Sequence, residues 1–94
     1  MLIIFFKINF ANYFKFIIMD VNQFLENVAE QLDEMDPALL SLETEFKELD
    51  EWSSLAALSL IAMVDEEYDV ALSGNDIRNS KTLGDLKKII EEKS

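Results

Sequence analysis

The chain has 94 residues, half of them hydrophobic, and its 19 acidic and 8 basic residues give a net charge of −11. This length allows one small domain, and the hydrophobic share excludes a globally disordered chain. The negative charge disfavours nucleic-acid and anionic-lipid binding and favours partner proteins with basic patches. Without histidine or cysteine there is no disulfide, no thiolate or imidazole metal site and no serine–histidine pair, so we do not expect an enzyme.

Residues 1–18, MLIIFFKINFANYFKFII, contain two lysines and no acid, unlike the acidic remainder. A secretory signal is disfavoured because the segment lacks a basic start and a small-residue cleavage site, and the lysines weaken a transmembrane span. We favour an upstream extension, with Met19 as the true start. Asp20 can cap the following helix, and Met19 can pack on Phe24 as a hydrophobic staple. A membrane or partner anchor is the alternative.

The apolar spacing after Asp20 predicts a first helix, because residues recur at the i, i+3, i+4, i+7 positions of one buried face. These residues are Val21, Phe24, Leu25, Val28, Ala29 and Leu32. Pro37 restricts Asp36 to extended angles, so the helix must end before them. Residues 38–52 form a long connection, and long ordered loops often serve function.

A second helix is predicted from Ser54 to Tyr68. Ser53 fits the N-cap position, which leaves Ser54 at the first helical position and facing solvent. We expect one stripe of this helix to contain Leu55, Leu58, Ile61, Ala62 and Asp65. Leu58, Ile61 and Tyr68 are assigned to the core with Phe24 and Phe46, and Trp52 is expected to cover the junction of loop and helix.

Two further elements complete the predicted fold. A short helical turn is expected over 76–79, and Thr82 and Asp85 form a capping box that opens a last helix. Its inward residues are predicted to be Leu83, Leu86, Ile89 and Ile90. The sequence therefore predicts an all-α fold, a small four-helix bundle of three main helices and one short helix with a long first loop.

Residues 19–94 resemble an acyl carrier protein. Ser54-Leu55 matches the family's Ser-Leu at the start of the second helix, Asp65-Glu66-Glu67-Tyr68 matches its acidic-aromatic helix end, and the stretch 82–86, TLGDL, matches its last segment. The three matches keep the family's spacing without a gap.

The resemblance implies that a phosphopantetheinyl transferase, using magnesium of its own, attaches 4′-phosphopantetheine from coenzyme A to Ser54. The arm would then carry acyl or aminoacyl thioesters among acyl-loading and acyl-transferring enzymes with basic docking patches. We expect a cytoplasmic monomer that binds no metal, nucleic acid or membrane. Fatty-acid, polyketide and other pathways stay open.

Two departures from the family pattern concern the surroundings of Ser54. Ser53 replaces the usual aspartate, which motivates the alternative of a carrier-fold protein that is never modified and acts as a protein-interaction module. Ala56 and Ser59 are neutral where acids are common, so we expect a surface of Ala56, Ala57 and Ser59 that suits the enzymes of a dedicated pathway. The expected docking acids are Glu48, Asp50, Glu51, Asp65, Glu66 and Glu67.

Overall fold

The computed structural model describes residues 20–94, which form four α-helices and two 3-10 turns. The helices are α1 (Val21–Glu30), α2 (Ser54–Tyr68), α3 (Gly74–Arg78) and α4 (Leu83–Lys93), and the turns at Pro37–Leu39 and Phe46–Glu48 lie in the connection between α1 and α2. No strand occurs within residues 20–94, so the predicted all-α bundle is confirmed. The interpretations of residues 1–18 and of the Met19 staple fall outside the described residues.

Side-chain caps determine where these helices begin. Asp20 accepts a hydrogen bond from the N–H of Asn22 at 2.9 Å, and Thr82 and Asp85 form the predicted capping box at the start of α4. A second capping box, between Ser73 and Asp76, was not predicted. It starts α3 at Gly74, two residues before the helical turn expected from the sequence, because Ser73 acts as a cap rather than as part of a chain break.

One hydrophobic core joins the helices and the long connection. Phe24 of α1, Phe46 of the connection and Ile90 of α4 are fully buried within it. Trp52 is half-buried and packs edge-on against Phe46, with ring centroids 5.1 Å apart. Trp52 therefore covers the core at the end of the connection, as predicted.

The buried face of α2 differs from the predicted stripe. Leu55 and Leu58 are 73% and 65% exposed, whereas the buried residues of this helix are Ala56, Leu60, Met63 and Val64. The placement of Leu58 in the core was wrong, while Ile61 packs partly buried against it. Apolar residues occur on several faces of α2, so their spacing alone did not determine which face packs inward.

The long connection is fixed to α3 and α4 by backbone groups. The N–H groups of Leu83 and Gly84, at the start of α4, donate to the carbonyls of Thr44 and Leu42 at 3.0 and 2.7 Å. A Cβ atom on residue 84 would lie 3.0 Å from the Leu42 carbonyl oxygen, so this approach favours glycine. Lys47 Nζ also donates to two carbonyls at the end of α3 at 3.0 Å. Backbone N–H and C=O groups at these helix ends, which lack partners within the helix, thus hold the connection in place.

Candidate functional site

The two serines at the start of α2 have different structural tasks. Ser53 has extended backbone angles, and its hydroxyl oxygen accepts a hydrogen bond from the N–H of Ala56 at 3.0 Å. Its carbonyl accepts the N–H of Ala57 at 2.9 Å, the first backbone hydrogen bond of the helix. Ser54 is the first residue of α2 and is exposed to solvent. The predicted division between a capping Ser53 and an outward Ser54 matches this geometry.

The position of Ser54 suits an attached phosphate. N–H groups in the first turn of a helix lack carbonyl partners within the helix, and the aligned peptide dipoles make this end positive. Both features stabilise a phosphodiester on a side chain of the first turn. No acidic residue lies in the first turn of α2, so none opposes that charge from within it. The residues around the Ser54 hydroxyl therefore fit a phosphate-linked group.

A continuous exposed stripe runs along α2 from this serine. Its members recur every three or four residues and therefore lie on one side of the helix. They are Ser54, Leu55, Leu58, Ala62, Asp65 and Glu66. The stripe is apolar for its first half and acidic at its far end, with about 17 Å along the helix axis between Ser54 and Asp65 at 1.5 Å per residue. Leu55 and Leu58 thus form an apolar surface directly beside Ser54.

The predicted docking acids are all exposed, but they form two separate groups. Glu48, Asp50 and Glu51 precede the start of α2, and Asp65, Glu66 and Glu67 occupy its last turns. The helix keeps these groups apart, so the structure does not bring them into one cluster.

The expected neutral partner surface needs correction. Ala56 is buried, because it lies on the same side of α2 as Leu60 and Val64, while Ala57 and Ser59 are half-buried. The surface that α2 presents beside Ser54 is instead formed by the two exposed leucines. Leu55 was expected beside the arm site from the Ser-Leu motif, whereas the exposure of Leu58 was missed because leucines at helical spacing are ordinarily assigned to a core.

A groove lies between α1 and α2, with a cavity volume of about 480 Å³. Asn27 of α1 and Gln31, the residue that follows this helix, line one side of the groove, and Ser59 and Met63 of α2 line the other. The acidic lining residues are Glu30, Glu66 and Glu67. Ser59 and Ala62 have small side chains, which leave space between the two helices. No positively charged residue is among those that line this groove.

Asn27 and Tyr68 connect α1 to the end of α2 next to this groove. The Asn27 amide nitrogen donates to the Tyr68 hydroxyl at 3.0 Å, and its amide oxygen accepts from Gln23 at 3.0 Å. The Tyr68 ring packs at 6.3 Å from that of Phe24, which supports its assignment to the core. Burial raises the pKa of the Tyr68 hydroxyl, a change that the bond from Asn27 partly offsets.

Two other site types receive no support from this part of the chain. Residues 20–94 contain no cluster of three side chains of the kind that ligate metals. Among the same residues, no helix has both the length and the apolar character that crossing a bilayer requires.

Comparison with known families identifies the kind of domain that these helices form. The family model described as "Phosphopantetheine attachment site" matches residues 22–90, which include all four helices except the ends of the first and last. The chain belongs to this phosphopantetheine attachment site family. Neither the curated proteins nor the solved structures gave a match.

Membership in the phosphopantetheine attachment site family gives the general function. The chain is a carrier protein of a family whose domain is the site of covalent 4′-phosphopantetheine attachment, and carriers of this family are not enzymes. They are modified by phosphopantetheinyl transferases and interact with biosynthetic enzymes. The resemblance found in the sequence is thereby confirmed.

Proposed function

We propose that Ser54 is the residue that takes the phosphopantetheine and that the chain shuttles acyl or aminoacyl groups between enzymes of one dedicated biosynthetic pathway. One observation carries this assignment. Both serines are exposed, but Ser53 uses its hydroxyl oxygen to cap α2, whereas Ser54 occupies the first helical position and is not the cap. Of the two serines, Ser54 can be modified without loss of a helix cap.

The protein's own residues hold and present the attached group. The Ser54 Oγ forms the phosphodiester linkage at the positive end of α2, where the unpaired N–H groups stabilise the phosphate. Trp52, packed on Phe46, supports the chain just before this serine, and Leu55 lies directly after it at the surface. When bound, the group supplies a terminal thiol that holds the cargo as a thioester.

Association with partner enzymes is assigned to two acidic groups, one just before α2 and one in its last turns. Glu48, Asp50 and Glu51 lie before the arm site, and 65–67 lie at the far end. Acidic groups of this kind increase the rate of encounter with basic enzyme surfaces and improve the selectivity for them. Added salt screens this attraction. A transient, charge-steered complex suits a carrier that must leave one enzyme for the next.

The assignment to a dedicated pathway rests on the surface of α2 beside Ser54. The helix has no charged residue from Ser54 to Val64, and Leu55 and Leu58 are exposed in that interval. Enzymes that dock next to the arm therefore need a complementary apolar surface, which selects against partners that rely on charge alone.

The test is intact-mass measurement after incubation with coenzyme A, magnesium and a broad-specificity phosphopantetheinyl transferase. We expect the wild type and Ser53→Ala each to gain one arm and Ser54→Ala to gain none. Addition to Ser54→Ala, or loss of addition in Ser53→Ala with an intact fold, would place the attachment elsewhere. An acyl carrier that the same transferase loads serves as the positive control.

A second candidate function is a carrier-fold protein that is never modified and acts as an interaction module. Ser53 favours it, because the resemblance leads us to expect an aspartate at that position. The same experiment decides between the two, since absence of any mass gain in the wild type, beside a loaded control carrier, supports the unmodified module.

A further inference from the structure

The groove between α1 and α2 is a shaped recess with polar groups at its base. Asn27 is only 7% exposed, and both of its neighbours in the hydrogen-bond chain, Gln23 and Tyr68, hold its amide in a fixed orientation. Gln31 donates to the Asn27 carbonyl at 3.2 Å. The groove is therefore lined by side chains that are already ordered, which lowers the entropy cost of binding a group there.

The charge of the groove selects the kind of group that it can receive. Glu30 reaches it from α1, and Glu66 and Glu67 reach it from α2, with no cation among the lining residues. The volume of about 480 Å³ exceeds the needs of a single side chain, so a lysine or arginine can enter with its hydration partly retained. A guanidinium or ammonium group complements these carboxylates and the amide and hydroxyl oxygens nearby.

The groove is continuous with the exposed stripe that begins at Ser54. Ala62 and Glu66 belong to both, and Ala62 lies about 12 Å along the helix axis from Ser54 at 1.5 Å per residue. An enzyme that covers Ser54, Leu55 and Leu58 therefore reaches the mouth of the groove with the same surface. This geometry links the groove to an enzyme that acts on the arm site.

We propose that the groove receives a lysine or arginine side chain of the transferase that modifies Ser54. This proposal rests on the proposed function. It adds α1 to the docking surface, because Glu30 contributes a carboxylate that the second helix alone does not supply. The transferase surface then combines an apolar patch opposite Leu55 and Leu58 with a cation that enters between the two helices.

The experiment compares two glutamates of α1 that are four residues apart. Glu30 lines the groove, whereas Glu26 is exposed on the same helix and lies outside it. Both are changed to glutamine and to lysine, and the KM of the carrier for the broad-specificity transferase is measured at low salt. Each Glu30 variant and its matched Glu26 variant change the net charge equally. The ratio of their KM values therefore removes the effect of overall charge. Thermal unfolding verifies that each variant is folded.

We expect Glu30→Gln to raise KM about two- to five-fold over Glu26→Gln, the range given by a partly solvated ion pair. The lysine pair should show a larger ratio, and high salt should reduce both ratios. Equal KM values within each pair would overturn the groove assignment while leaving the proposed function intact. Failure of the wild type to gain any arm would overturn the proposed function itself and the transferase contact with it.

Discussion

Ser53 accepts a hydrogen bond from the backbone N–H of Ala56 at 3.0 Å, and this bond fixes the start of α2. Packing against α1 and the long connection then determines which face of the helix is buried. From that start, Ala56, Leu60 and Val64 face the core, and Ser54, Leu55 and Leu58 face solvent. The proposed arm site and its apolar neighbours therefore lie on one exposed surface of the capped helix.

Replacement of Ser53 should affect the stability of the protein, whereas replacement of Ser54 should affect only its modification. We expect Ser53→Ala to lower the free energy of unfolding by about 1 kcal/mol, the usual effect of a lost N-cap. Ser54→Ala should leave stability nearly unchanged, because the exposed hydroxyl is not the cap. Urea unfolding followed by circular dichroism measures both. Equal losses in the two variants would contradict the assignment of separate tasks.

Truncation to alanine should have different effects at two leucines of α2. Leu60 is 1% exposed, so Leu60→Ala should cost about 2–5 kcal/mol of unfolding free energy. Leu58→Ala should change it by no more than about 0.5 kcal/mol, as is usual at the surface. Leu58→Ala should instead slow loading of Ser54. A large loss of stability in Leu58→Ala would instead support the predicted position of Leu58 in the core.

The bond between Asn27 and Tyr68 should contribute to the packing of α1 on α2. Tyr68→Phe removes the acceptor for the buried Asn27 amide and should cost about 1–2 kcal/mol of unfolding free energy. The control is the same change in an Asn27→Leu background, where no amide is left without its partner. Strictly additive costs in this double-mutant cycle would show that the bond contributes nothing.

Asp85 should contribute to stability only above its own titration range. Backbone N–H groups of Thr82 and then Lys81 donate to its carboxylate and hold its pKa below the ordinary value. The unfolded chain therefore binds a proton first, so the contribution is complete above about pH 4 and is lost as pH falls through the lower folded pKa. Asp85→Asn should flatten the acid side of a stability–pH curve. An unchanged curve would be evidence against this coupling.

Asp69 should be replaceable with a gain in stability. It ends α2 with left-handed angles of φ 57° and ψ 40°, which cost a residue with a side chain roughly 1 kcal/mol more than glycine. Its negative charge also lies at the unfavourable end of the helix dipole. Asp69→Gly should therefore raise the melting temperature, whereas Asp65→Gly, one turn earlier in the helix, should lower it. A decrease at both positions would refute the strain argument.

The sequence predicted the starts of α1, α2 and α4 because capping is local chemistry. Asp20, Ser53 and Thr82 each bond to an N–H two or three residues later, so no distant contact is needed to recognise them. The buried face of α2 could not be predicted in this way, since leucines lie on both its inner and outer sides. Its orientation depends on packing against α1 and the long connection.

The residues of the candidate site likewise differ in whether the sequence alone could predict them. Ser54 could be proposed as the attachment residue from the residues on either side of it, and the docking acids could be proposed from the charge pattern. The groove could not, because Glu30 and Glu66 come from helices whose relative placement only the fold determines. Predicting which residues surround a site requires the tertiary structure, whereas a sequence motif is enough to propose its attachment residue.

The bonds from Leu83 and Gly84 to the carbonyls of Thr44 and Leu42 have an evolutionary consequence. Both are main-chain bonds, so neither depends on which side chains Leu42 and Thr44 carry. Surface acids of this segment, such as Glu43 and Glu45, can then be exchanged without moving the backbone. The chain could thus acquire new partner enzymes through surface substitutions while the scaffold that presents Ser54 is inherited unchanged.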